Sequence, residues 1–257
     1  MCGIGVIINY GKDKVEDKLT KGLFDNLAAR GTDASGLYFE REENGLRIRR
    51  LCKAPMRSSD LWRLLQEPTK KEKKQYKLFI NKYALNGQEK LIMLHTRNGT
   101  RGCESNNHNN GPIFSDNYIL VHNGMVTNTK IEGYKYCGEV DSEEILARVE
   151  TSGVFHGIKA LVGSMAIALK PIKSQCVYLY RNSNPIFVEY RTKEQVLVAC
   201  SMQSYIPCGG LPPAGALASQ LFSPGKSGMA LPANEIFRFG CDSPSIDVVD
   251  DKSEVAQ

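Results

Sequence analysis

Apolar side chains in this chain come in short, β-branched runs closed by turn residues, and this pattern constrains the fold more than any other feature. Ile4 to Ile8, ended by Asn9-Tyr10-Gly11, has the length and composition of a buried strand. Ser35 to Phe39 and Leu46 to Leu51 read as two strands joined by Glu42-Glu43-Asn44-Gly45, which carries the Asn-Gly hairpin signal. Lys90 to Leu94, Tyr118 to Val121, Ser164 to Leu169, Gln175 to Tyr180, Pro185 to Val188, Val196 to Cys200 and Glu235 to Phe239 complete the expected strands. Helices are fewer. Val15 to Ala29 places Leu19, Leu23, Leu27 and Ala28 at helical spacing and exits at Arg30-Gly31. Asp60 to Gln66 starts a second helix, and Asp141 to Glu150 a third with Asp141 or Ser142 as its N-cap. Gly153, Gly157 and Gly163 punctuate the stretch between that helix and the next strand. With no internal repeat and no interior linker, the pattern predicts one α/β domain rich in strands.

The 257 residues are enough to bury a sizeable core. No apolar run approaches the roughly 18–20 residues that span a bilayer, so no membrane partner is expected. The start, MCGIGVIINYGKDK, lacks a basic segment and a cleavage signal, and predicts no secretory leader. A net charge of +5 is modest and comes largely from one segment, which argues against a nucleic-acid binder. That segment, Lys70, Lys71, Lys73, Lys74 and Lys77, lies in a stretch of distinct composition over residues 57–90. A solvated helical face is the expected reading; a docking surface for a partner or an anionic substrate is the alternative. The eight cysteines include no C-x-x-C pair and there are four histidines, so no metal or cofactor is predicted. Scattered thiols fit a reducing cytoplasm. Seven of the eight are expected to be buried small apolar side chains. The tail from Cys241 to Gln257, with five Asp or Glu, is expected to fray.

Cys2 is the exception. Methionine is usually removed before a small second residue, leaving a thiol and a free α-amine on one residue. That amine has an ordinary pKa of about 7.7–8.0, so it can accept the thiol proton near neutrality. Gly3 leaves the backbone beside the sulfur unobstructed. Three further segments supply partners for an amino-acid substrate. Arg97, in His95-Thr96-Arg97 after a strand, can hold a carboxylate by two parallel hydrogen bonds. Asn123-Gly124, also after a strand, can form an oxyanion hole, although Asn-Gly is equally a plain turn signal. Asp141 at a helix start can pair with an ammonium group. His95 and His122 are expected to support loops rather than act as bases. His108 either lines a substrate loop or is surface, and His156 has no evident role.

The ordered motifs Met1-Cys2-Gly3-Ile4, Arg30-Gly31-Thr32-Asp33-Ala34-Ser35-Gly36, His95-Thr96-Arg97, His122-Asn123-Gly124 and Asp141-Ser142-Glu143 resemble those of the class II glutamine amidotransferase domain. The likeness is greatest to the domains of glucosamine-6-phosphate synthase and glutamine phosphoribosylpyrophosphate amidotransferase. It covers roughly residues 2–200, through Gly163 to Ile167 and Val196 to Cys200. The resemblance implies a four-layer α/β/β/α sandwich with two mainly antiparallel sheets, the N-terminal-nucleophile hydrolase fold, over residues 2–240. It also implies roles. Cys2 attacks the side-chain amide of glutamine and forms a glutamyl thioester, Asn123 and Gly124 stabilise the oxyanion, and Arg30 orients the N-terminal residue. Arg97 binds the α-carboxylate with help from Thr100, Asp141 binds the α-ammonium, and Asp33 is structural in its turn. The alternatives are an amide hydrolase of the same fold acting on another substrate, and a non-catalytic regulatory module.

Three departures stand out. Asn98 replaces the aromatic residue the sugar-phosphate synthases tend to carry after His-Thr-Arg, the interval holding the basic insert is longer, and no synthetase domain is expected to follow. The expectation is glutamine hydrolysis in the cytoplasm that supplies ammonia to a synthetase on a separate chain.

Overall fold

The computed structural model describes residues 1–202, 204 and 228–254. Thirteen strands in the described residues form two sheets. The first contains β1 (Gly3–Asn9), β2 (Ala34–Glu43), β3 (Leu46–Ala54), β4 (Glu89–Arg97), β9 (Phe187–Arg191), β10 (Val196–Cys200) and β11 (Met229–Ala230). Their order is β11-β9-β10-β1-β4-β2-β3. The second contains β5 (Ile113–Phe114), β6 (Tyr118–Val126), β7 (Gly163–Pro171), β8 (Cys176–Arg181), β12 (Ile236–Gly240) and β13 (Ile246–Val249). Its order is β13-β12-β8-β7-β6-β5. Every described strand pairing is antiparallel.

Side-chain alternation sets the layers, because successive residues of a strand face opposite sides. Along β1, Ile4, Val6 and Ile8 enter a core shared by the two sheets, whereas Ile7 packs on the outer side. Helices α1 (Asp17–Leu27) and α2 (Ser58–Gln66) cover that outer side with Leu23, Phe24, Leu27, Leu61, Trp62 and Leu65. Along β6, Ile119 and Val121 face the shared core while Leu120 meets α5 (Ser142–Lys159) with Ile145, Leu146 and Val149. Both faces of both sheets are therefore apolar, which is why the strands read as continuous runs and not as alternating ones. The result is the four-layer α/β/β/α sandwich.

Local chemistry explains the joints. The β2–β3 hairpin closes on Asn44 and Gly45, with φ of 52° and 75°, the left-handed pair that a two-residue turn needs. Helix α5 is bent at Gly153 (φ 78°, ψ 173°) and folds back on itself, so closely that a Cβ on Gly157 would lie 2.7 Å from Val149 Cα. The basic insert forms α2, α3 (Lys70–Gln75) and α4 (Lys77–Tyr83). Its lysines are exposed, and α3 is held by a capping box between Thr69 and Glu72, whose carboxylate also takes both Arg63 Nη atoms at 2.8 and 2.9 Å.

Several expectations need correction. The tail does not fray from Cys241: Cys241 is buried in the shared core, and Ile246 to Val249 pairs with β12 from Phe239↔Ile246 to Ile236↔Val249. Main-chain pairing along the β12 edge holds this segment, together with Val249 in the core against α5, Ile246 against the shared core, and Asp247 paired with Arg238 at 2.9 Å. Residues 255–257 lie outside the described residues. Strands β5 and β11 span two residues each, too short for a periodic signal, and β9 begins at Phe187, two residues beyond its expected start at Pro185. Cys103 and Cys137 are exposed, not buried; Cys52, Cys176, Cys200 and Cys241 are buried, and Cys208 lies outside the described residues. The seven described cysteines are all free thiols.

Candidate active site

One end of the space between the sheets opens as a cleft bounded by Cys2, Arg97, Thr100, Gly124 and Asp141. Strand parity brings them there. Cys2 shares the inward phase of Ile4 and Val6, Arg97 that of Leu91 and Met93, and Asn123 that of Ile119 and Val121. Gly3 pairs with Thr96, which sets Cys2 beside the end of β4. A Cβ on Gly3 would stand 2.5 Å from Thr96 Oγ1 and 2.8 Å from the Leu27 carbonyl, so the chain passes here only as glycine. Thr96 Oγ1 itself donates to that carbonyl at 2.7 Å.

The Arg30-Gly31-x-Asp33 motif works on both sides of this joint. Arg30 Nε donates to the Cys2 carbonyl at 3.0 Å and Nη1 to the Ser201 carbonyl at 3.3 Å, fixing the first residues against the β10 exit. Gly31 admits the Arg97–Asn98 peptide, whose carbonyl carbon would be 2.3 Å from any Cβ. Asp33 accepts from Gly99 N at 2.7 Å and its own N–H donates to the Arg97 carbonyl at 3.0 Å. Its work is thus to pin the loop that leaves β4. The Cys2 thiol lies 3.9 Å from the Asn98 carbonyl. Burial raises its pKa, the chain's N-terminal ammonium and Arg97 pull it down, and Asp141 pushes it up.

Arg97 is buried with a fork already engaged: Nη1 donates to Asn110 Oδ1 at 3.3 Å, and Nη2 to the carbonyls of Arg101 and Gly102 at 2.5 and 2.6 Å. Thr100 sits on the exposed loop between them and borders the cleft. Asp141 precedes α5 but does not cap it; its Oδ2 accepts from Val126 N at 2.6 Å, tying the helix start to the end of β6. Gly124 has φ of 151°, and a Cβ there would lie 1.9 Å from the Ser164 carbonyl on the paired strand. Its neighbour Asn123 is fully buried, and neither side-chain amide atom has a hydrogen-bond partner among the described residues. The cleft wall beside it is formed by His122 and Gly124.

The two histidines brace this wall. His95 Nε2 reaches the His122 carbonyl at 3.2 Å, and His122 Nδ1 meets Ser142 Oγ at 2.9 Å. Burial pushes them down to about 3 and about 4, so both are neutral near pH 7 and hold positions without acting as bases. His108 is exposed. Sequence reasoning missed Lys53, Asn109 and Asn110, which organise the loop behind Arg97. The run Asn106 to Asn110 was a usable signal, since asparagine side chains substitute for backbone partners in irregular loops.

Two antiparallel sheets between helical layers, with the site at the mouth of β1, give the fold of the class II glutamine amidotransferase domain. Among solved structures it is shared with glutamine phosphoribosylpyrophosphate amidotransferase of B. subtilis in complex with ADP and GMP (TM-score 0.59, 13% identity, 96% of this chain and 49% of that one). It is also shared with a structure described as the allosteric regulatory enzyme of purine biosynthesis (TM-score 0.64, 14% identity, the same coverage). A glutamine aminotransferase class-II domain protein from Silicibacter pomeroyi superposes over 96% of this chain and 99% of its own, with TM-score 0.53 and 11% identity. In sequence, the chain aligns over 221 residues with glutamine–fructose-6-phosphate aminotransferase [isomerizing] 2 of Bos taurus at 25% identity and of Homo sapiens at 24%. The alignments cover 75% of this chain and 31% of each relative, so the chain spans about a third of the length of the curated relatives it matches. No family model matches.

Proposed function

We propose that this chain hydrolyses the side-chain amide of glutamine, with Cys2 as nucleophile after removal of Met1. The observation that carries the reading is the convergence of Cys2, Arg97, Gly124 and Asp141 on one cleft from four separate segments. Free glutamine has one carboxylate, one ammonium and one reacting amide, and the cleft offers a partner for each. Arg97 takes the carboxylate with Thr100 beside it, and Asp141 takes the ammonium.

The α-amine of Cys2 accepts the thiol proton as Sγ attacks the amide carbon. The Asn123 amide and Gly124 N–H stabilise the resulting oxyanion; the unpartnered, buried Asn123 side chain supports this assignment. Collapse breaks the C–N bond, the amine returns its proton, and ammonia leaves a glutamyl thioester on Cys2. Water then cleaves the thioester to glutamate and restores the thiol. Arg30 keeps Cys2 in place through its carbonyl.

Free hydrolysis spends glutamine without using its ammonia, so we assign the ammonia to a synthetase partner, which we place on a separate chain. The relatives' name, glutamine–fructose-6-phosphate aminotransferase, supports the coupling of glutamine to an acceptor. A reducing, cytoplasmic setting agrees with the free thiols of the seven described cysteines. The test is release of glutamate and ammonia from glutamine by the purified chain, alone and with candidate synthetases. Cys2→Ala should abolish both products, and persistence of either at the wild-type rate overturns the reading.

A further inference from the structure

Lys53 stands outside the cleft, on the edge strand β3, yet both its ends grip the same loop segment. Its Nζ donates to the Asn110 carbonyl at 2.7 Å, and its own carbonyl accepts from Asn107 Nδ2 at 3.0 Å. Asn110 is fully buried, and its side chain is committed on every side. Its Nδ2 donates to the Glu104 carbonyl at 2.8 Å and to Asn107 Oδ1 at 3.0 Å, while its Oδ1 receives Arg97 Nη1 at 3.3 Å. The sheet presses against this segment: a Cβ on Gly36 would lie 2.3 Å from the Gly111 carbonyl and 2.7 Å from Lys53 Cβ.

We propose that Lys53 is a positioning residue for the substrate anchor, holding Asn110 so that Asn110 sets the plane of the Arg97 guanidinium. The chain of contacts is direct: Lys53 ammonium to Asn110 main chain, Asn110 side chain to Arg97. Lysine suits the place because its ammonium, at the end of a long stem, lies over the Phe114 ring, 5.5 Å from the centroid, while it donates to the carbonyl. A charge-assisted hydrogen bond to a backbone carbonyl fixes the loop more firmly than a neutral one. The Arg101 and Gly102 carbonyls hold only Nη2, so loosening Asn110 lets the guanidinium pivot about that end; because Arg97 grips a carboxylate by geometry as well as charge, it then binds less well without altering the chemistry at Cys2.

The inference rests on the assignment of Arg97 to the glutamine carboxylate, and the experiment separates the two. Lys53→Met keeps the stem and removes the charge, and Lys53→Arg restores a donor. We expect Lys53→Met to raise KM for glutamine about tenfold with kcat within about twofold, and Lys53→Arg to recover most of the loss. For glutamine α-amide, which lacks the carboxylate, wild type and Lys53→Met should share one KM. Hydrogen–deuterium exchange without substrate should show faster exchange over residues 98–110 in Lys53→Met and unchanged exchange in β1 and β6. Equal losses for both substrates, a fall in kcat at constant KM, or unchanged exchange over 98–110 would each overturn the inference. If wild type neither binds nor hydrolyses glutamine, the functional reading fails, and the exchange comparison alone still decides whether Lys53 holds the loop.

Discussion

Replacing Asn123 with leucine sets stability against activity in a way that few substitutions do. Leucine has the same branching and number of side-chain heavy atoms, so the change removes two polar atoms at nearly constant shape. Both atoms are buried and neither has a partner among the described residues, in a side chain that is fully enclosed. A buried amide left unpaired costs about 1–3 kcal/mol, and Asn123→Leu should recover a sum of that order. For a chain of 257 residues this corresponds to a rise in Tm of about 2–4 °C for each kcal/mol. One of the two, the Nδ2 amide donor, is assigned to the oxyanion, and losing one such donor typically costs about 10²–10³ in kcat. Asn123→Leu should therefore be at least as stable as wild type in thermal and urea denaturation, yet turn over glutamine about 10²–10³ times more slowly, with KM little changed. A variant destabilised by more than about 1 kcal/mol would show that the amide is satisfied in the resting protein. A variant that keeps its activity would remove Asn123 from the chemistry.

The same geometry sets other outcomes. Gly124→Ala puts a Cβ 1.9 Å from the Ser164 carbonyl at a φ of 151°, so it should part β6 from β7 and lower Tm sharply, read by calorimetry together with activity. Arg30→Lys cannot reproduce the two-point grip on the Cys2 and Ser201 carbonyls and should cut kcat at least about tenfold while circular dichroism stays native. His95 and His122 are depressed to about 3 and about 4 in the folded chain, below an unfolded value of about 6.5. Their neutral forms are thus favoured on folding, and the stability this gives is complete above about pH 6.5 and lost as pH falls toward 4. The slope is up to about 1.4 kcal/mol per pH unit for each histidine. Urea unfolding at about pH 7.5 and about pH 5 should show a smaller difference in His122→Asn than in wild type.

The strand-rich fold was legible because both faces of each sheet are covered, so β1, β7 and β10 appear as unbroken apolar runs. β13 was not, because four residues with Asp247 among them, set between acidic neighbours, make too short and mixed a run to stand out, and its place is fixed by pairing to β12. At the site, Cys2, Arg97 and Asp141 stood out as charge and chemistry placed at strand and helix ends. The parts that make them work are steric and were harder to read. Gly31 matters for a peptide passing 2.3 Å from an absent Cβ, and Asp33 for a loop sixty-six positions away. Such requirements arise only when distant segments meet. Lys53 escaped notice for the same reason, since its partner lies fifty-seven positions away, whereas Asn110 sat in a legible asparagine run whose link to Arg97 only the folded loop reveals.

Whether Cys2, freed at the N-terminus, carries the reaction is decided most directly by intact-mass analysis after incubation with a glutamine analogue bearing a diazoketone in place of the amide. The expected product is a chain that lacks Met1 and gains a single adduct, mapped to Cys2, suppressed by excess glutamine and absent from Cys2→Ala. Retention of Met1 in an active protein, or glutamine turnover that survives Cys2→Ala, would contradict that role for Cys2.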